Sequence, residues 1–174
     1  AMYSGSRRLM RTRSLTRRVC VAEKSALESL RDQESANRFE RSFAGLTEDS
    51  VETSEQFTTA FETAPTPSNT FPDEWFAQQL LSILKTIAVR EQLGLRRQTF
   101  FVNFGGWDHH GELLNSQADL LERLSPALTA FQLGLEDLSL ANDVITFSCS
   151  DFARTLRSNG RGTDHAWGGN AFVM

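Results

Sequence analysis

The chain of 174 residues contains three histidines, and each stands next to an aspartate or another histidine in a glycine-rich segment. His109 and His110 follow Asp108 within Gly105-Gly106-Trp107-Asp108-His109-His110-Gly111, and His165 follows Asp164 within Gly162-Thr163-Asp164-His165-Ala166-Trp167-Gly168-Gly169. Neutral imidazole nitrogen and carboxylate oxygen together suit borderline to hard divalent ions, so Zn²⁺, Mn²⁺ or Fe is the expected cofactor, its identity open. Neighbouring glycines let the backbone bend sharply enough for such side chains to converge. Asp108, His110, Asp164 and His165 are therefore the candidate metal ligands. The plainer alternative is a metal-free domain in which the three histidines only shape loops.

Asp151 and Arg154 belong to Ser150-Asp151-Phe152-Ala153-Arg154-Thr155, at the expected mouth of the same site. Arg154 is expected either to grip an anionic substrate group or to pair with Asp151. Asn159, before Gly160, reads as a turn residue, with a polar contact at the site as the alternative. Cys149 with Arg154 downstream resembles the loop of cysteine phosphatases, but only four residues separate the pair where those loops have five. A buried structural thiol is the reading that remains for Cys149. Trp75 reads as core, and Trp107 and Trp167 as packing beside the proposed ligands.

The elements that must position these residues follow from periodicity. Phe76, Leu80, Ile83, Leu84, Ile87 and Ala88 recur at three- and four-residue spacing and predict a helix over 73–92, which Gly94 ends. Thr99-Phe100-Phe101-Val102-Asn103-Phe104 and Val144-Ile145-Thr146-Phe147-Ser148-Cys149 read as strands buried on both faces. Between them, Leu113, Leu114, Leu120, Leu121, Leu124, Leu128 and Phe131 predict a second helix, with Pro126 as a kink or a fresh start. Strand, helix, strand is a βαβ crossover, so the expected fold class is α/β with a mostly parallel sheet flanked by helices. Ligands in such sheets bind beyond the carboxyl ends of the strands, where the histidines fall. Residues 1–70 read as a helical peripheral region ending in the linker-like Ala64-Pro65-Thr66-Pro67-Ser68-Asn69, and 71–174 as the βαβ portion of one larger domain.

Composition narrows the partners. A net charge of −4 argues against wholesale binding to nucleic acid, and no apolar run reaches the length of a membrane span. Residues 1–20 nevertheless hold six arginines and no acid. That segment reads as the basic face of a helix, with a transit peptide as the alternative. A twin-arginine signal does not fit these residues, because arginines follow where an apolar segment is needed. Cys20 and Cys149 are too few for a disulfide framework or a cysteine-based zinc site.

Taken in order, Phe101–His110, Ser150–Thr155 and Gly162–Gly169 resemble the bacterial family called domain of unknown function 1501, which is related to the alkaline phosphatase and sulfatase superfamily. The resemblance covers residues 70–174 and extends to the N-terminal 70 only as a plausible helical region. His109 stands where the family usually has Thr, and Ala153 where it usually has Gly. The resemblance leaves open whether His109 has taken over from His110. It implies an alkaline-phosphatase-like fold and a two-metal site, with Asp164 and His165 on one ion, and export through a twin-arginine signal ahead of the catalytic part. It also implies a nucleophile and further ligands outside these residues, so the chain reads as an internal fragment of a longer protein.

The resulting expectation is a metal-dependent hydrolase of phosphate or sulfate esters, inactive as this piece. Asp108 and His110 would serve one ion, Asp164 and His165 the other, and Arg154 with Asp151 the anionic substrate. The rival expectation is a non-catalytic exported binding or assembly protein that keeps the fold. Oligomeric state has no signature in the sequence.

Overall fold

A computed structural model describes residues 37–174 together with Ser29. The arginine-rich segment, Cys20 and the apolar positions from Leu9 to Leu27 and at Leu30 lie outside the described residues. The chain divides into two compact units, 1–58 and 59–174. The described helices are α1 (Arg38–Glu62), α2 (Trp75–Ala88) and α3 (Leu113–Asp137).

In the first unit, Asn37 starts α1: its Oδ1 accepts the Phe39 N–H at 2.9 Å and its backbone carbonyl accepts that of Arg41. Phe39, Phe43 and Leu46 then lie exposed along the helix.

The second unit is built on one helix pair. Phe76, Ala77, Leu80, Leu84 and Ile87 of α2 are buried against Ala127, Ala130, Phe131 and Leu135 of α3, with Phe71 and Leu140 closing the ends. The contact works because α3 offers small residues there. Gly134 meets Leu84 so closely that an added Cβ would lie 2.3 Å from Leu84 Cδ2. α2 is shorter than its periodicity predicts: it ends at Ala88, and a turn carries the chain to Gly94 at φ 65°. α3 runs through Pro126 without a new start. Its turn is held in part by Thr129 Oγ1, which donates to the Ser125 carbonyl at 2.9 Å.

The stretch at 64–69 is stitched to α3 and does not act as a free linker. Asn69 Nδ2 donates to the Ala130 carbonyl, and Ser68 donates from its N–H and its Oγ to Asp137 Oδ2. Across the pair, the Arg123 guanidinium bonds Glu74 at the start of α2. Asp137 is the last residue of α3, where helix carbonyls disfavour a carboxylate. The two Ser68 donors outweigh this and hold its carboxyl below the usual range, against a smaller desolvation effect.

The parallel sheet expected from the sequence is absent: the described residues form three helices and no strand or sheet. Residues 99–104 and 144–149 are not paired with each other. Both are extended segments with one half-buried face, on which Val102, Phe104 and Val144 pack against the helix pair. Their other faces are open, with Phe101 82%, Ile145 75% and Phe147 63% exposed. Phe147 instead makes an isolated antiparallel bridge with Val173. A short apolar run has the same composition whether one face or two are covered, and periodicity says nothing about its pairing partner. The alkaline-phosphatase-like architecture is therefore overturned for these residues. Two smaller expectations also fail: Cys149 is exposed, and Trp75 is 61% exposed at the start of α2.

Gly134→Ala gains up to about 1 kcal/mol in helix propensity but overpacks a buried leucine, at a cost of about 1–3 kcal/mol. A net loss of stability is expected by denaturant unfolding, and Leu84→Ala should remove the penalty. An equal effect in both backgrounds would contradict this contact. Because the Asp137 pKa is depressed, its contribution to stability is present above about pH 4 and lost as pH falls through the folded value. Thermal melts of wild type and Asp137→Asn should therefore differ at pH 5–7 and converge in acid. A gap that does not shrink at all as the solution is acidified would contradict the assignment.

Candidate metal centre

Two turns and one antiparallel contact bring the histidine segments together. Residues 153–155 lie against 164–168: Arg154 N–H donates to the Gly168 carbonyl at 2.8 Å, Gly168 N–H returns the bond at 2.9 Å, and Thr155 N–H donates to the Asp164 carbonyl at 2.8 Å. Arg154 thus faces His165 across the pairing. The loop at 159–162 is closed by Asn159, whose Oδ1 accepts the N–H groups of Arg161 and Gly162 at 3.1 and 2.8 Å. Gly162 sits directly on the other histidine segment. A Cβ there would lie 2.7 Å from the His109 carbonyl oxygen and from the His110 carbonyl carbon, so only glycine admits this approach. The Arg161 carbonyl accepts the N–H of Leu113, which ties the loop to the start of α3.

The result is a three-donor cluster of Asp108, His110 and His165. His110 Nε2, His165 Nε2 and Asp108 Oδ1 form a triangle with all three edges 3.1 Å. Hydrogen bonding cannot satisfy all three edges, since the carboxylate brings no hydrogen and each Nε2 at most one, pointing one way. A cation at the common point satisfies all three. Donors about 2.1 Å from one ion stand about 3.0 Å apart at right angles and about 3.4 Å apart at tetrahedral angles. The triangle fits that range. More than half of each of these side chains is exposed, so one side of the cluster is open.

Asp108 is the hub. The His165 imidazole, its Nε2 3.1 Å from Asp108 Oδ1, is the largest cause of the Asp108 pKa lying below the usual carboxylate value. Desolvation opposes this, and the charges of His110, His165 and Arg154 add to it. The Arg154 guanidinium bonds both Asp108 Oδ1 and the Thr163 carbonyl, and its side chain is 14% exposed. The Phe152 ring lies 4.9 Å from that guanidinium and edge-on to His165 at 5.1 Å.

Among the sequence candidates, the structure therefore brings Asp108, His110 and His165 to one point. Asp164 lies one step behind, its Oδ1 3.4 Å from His110 Nδ1. His109 takes no part: it is half-buried, and its Nε2 is enclosed without a partner. Arg154 pairs with Asp108, not with Asp151, which is exposed and makes none of the cluster's polar contacts. Trp107 packs as expected, donating from Nε1 to the Phe104 carbonyl at 2.8 Å, whereas Trp167 is 78% exposed. Asn159 is both the turn residue and the polar contact that the sequence offered as alternatives. Its Nδ2 also donates to Asp164 Oδ1 at 3.2 Å and to the His110 carbonyl at 3.3 Å, contacts between distant segments that no local spacing signals.

The chain matches the family described as Protein of unknown function (DUF1501) over residues 4–174, and so belongs to it. No curated protein and no solved structure matches the chain.

Gly162→Ala should push the 109–110 backbone away and separate the two imidazoles, whose ring centres are 4.8 Å apart. Loss of the nuclear Overhauser contact between the His110 and His165 rings, with a lower melting temperature, is expected. Gly105→Ala, which meets nothing within 4 Å, should leave both unchanged. An unaltered ring contact in Gly162→Ala would contradict the packing described.

Proposed function

We propose that Asp108, His110 and His165 bind one divalent ion, zinc, manganese or iron, and that the protein is a metal-dependent hydrolase of phosphate or sulfate esters, related to the alkaline phosphatases and sulfatases. The observation that carries the metal reading is the triangle of donor atoms with 3.1 Å edges. The motif resemblance supplies the reaction class. An ion held there supplies Lewis acidity toward an ester oxygen.

The chain's own residues do the rest. Asp108 and the two imidazoles hold the ion on an open face that admits an ester. Arg154 braces the Asp108 carboxylate and leaves a positive charge beside the site; with its bonds to Asp108 and Thr163 in place, it supports the ligand instead of gripping the substrate. One hydroxyl beside this arrangement, Thr155 Oγ1, accepts the Asp164 N–H at 3.3 Å and donates to the Arg157 carbonyl at 2.8 Å. It is not assigned as a nucleophile, and the nucleophile stays open.

Metal content measured by elemental analysis after equilibration with zinc, manganese or iron should be about one equivalent in the full chain and near zero in Asp108→Ala and His165→Ala. No metal in the wild type, or equal metal in the variants, would overturn the reading of the cluster. Aryl phosphate and aryl sulfate assays on the metal-loaded protein test the reaction class. With the nucleophile expected outside these residues, binding of an aryl phosphate or sulfate without turnover is the expected result, and binding of neither ester would overturn the substrate class.

A further inference from the structure

Asp164 and His165 are adjacent in sequence, yet the antiparallel contact with 153–155 separates their tasks. Successive side chains of an extended segment point to opposite sides. His165 Nε2 reaches Asp108 Oδ1 at 3.1 Å, while Asp164 Oδ1 lies 3.4 Å from His110 Nδ1, on the far side of that ring from the donor triangle. Asp164 is itself held in place. Its backbone bonds Thr155 through both N–H and carbonyl, and its Oδ1 accepts Asn159 Nδ2 at 3.2 Å. Asn159 is fixed in turn by the loop N–H groups at its Oδ1.

We infer that Asp164 is a positioning residue and not a metal ligand: it accepts the Nδ1–H of His110, which leaves the His110 Nε2 lone pair facing the ion, and Asn159 locks Asp164 in that role. The inference rests on the reading of Asp108, His110 and His165 as a metal centre, and it makes that centre a one-ion site. A neutral imidazole carries one ring hydrogen. Committing it to Nδ1 is what turns Nε2 into a donor of electrons, and such carboxylate–imidazole pairs contribute about 10–100-fold to metal affinity.

The test is a Co²⁺ titration of the full chain, read by visible absorption and equilibrium dialysis, on wild type, His110→Ala, Asp164→Ala and Asp164→Asn. Ring ¹⁵N shifts of His110 in the metal-free wild type are measured alongside. The expected result is one equivalent in wild type, loss of binding in His110→Ala, and a 10–100-fold weaker dissociation constant at unchanged stoichiometry in Asp164→Ala. Asp164→Asn, whose amide oxygen still accepts the Nδ1–H, should recover most of that loss. His110 should show the Nδ1–H tautomer, a readout independent of whether Asp164→Ala folds. Two equivalents in wild type falling to one in Asp164→Ala would make Asp164 a ligand and overturn the inference. Unchanged affinity in Asp164→Ala, failure of Asp164→Asn to recover affinity, or an Nε2–H tautomer would overturn it while leaving the metal centre standing. No Co²⁺ binding by the wild type would remove the metal centre and this inference with it.

Discussion

The antiparallel contact between residues 153–155 and 164–168 is the constraint on which the site depends. Arg154 and Gly168 exchange both backbone hydrogen bonds, and an added Cβ at Gly168 would lie 2.7 Å from the Arg154 carbonyl oxygen. That closeness sets which way each neighbouring side chain points. It brings the Arg154 guanidinium to Asp108 and the Thr163 carbonyl, His165 to Asp108, and Asp164 to the back of the His110 ring. The helix pair supplies the support. Its buried surface fixes α3, and the Leu113 N–H at the start of α3 anchors the 159–162 loop through the Arg161 carbonyl.

The electrostatics of the cluster run in one direction. His165 and Arg154 both draw the Asp108 carboxyl below its ordinary pKa, His165 the more strongly, against a desolvation effect. His110 Nε2, His165 Nε2 and Asp108 Oδ1 stand 3.1 Å from one another, and no placement of ring hydrogens satisfies all three edges. A cation at their common point would satisfy all three, which is the physical reason for proposing a metal centre there.

Much of this was visible in the sequence, for reasons that differ by residue. The α2 and α3 cores follow from local periodicity, because a helix repeats its buried face every three or four residues whatever it packs against. Asp108, His110 and His165 stood out by residue type, since so few histidines occur and each has an acid or a histidine beside it. The parallel sheet was not there to be found. Phe101, Ile145 and Phe147 look like core in sequence and are open in the structure, since pairing of extended segments is a non-local property. The division of labour between Asp164 and His165 was equally hidden. It is set by the pairing of their backbone with Thr155, and by Asn159 reaching across from a neighbouring loop.

The measurement that tests the central claim most directly is an anomalous difference map from crystals of the full chain grown with zinc, recorded on both sides of the zinc absorption edge. One peak at about 2.0–2.2 Å from His110 Nε2, His165 Nε2 and Asp108 Oδ1 is the result expected. Peaks elsewhere, or none at these three atoms, would contradict the account.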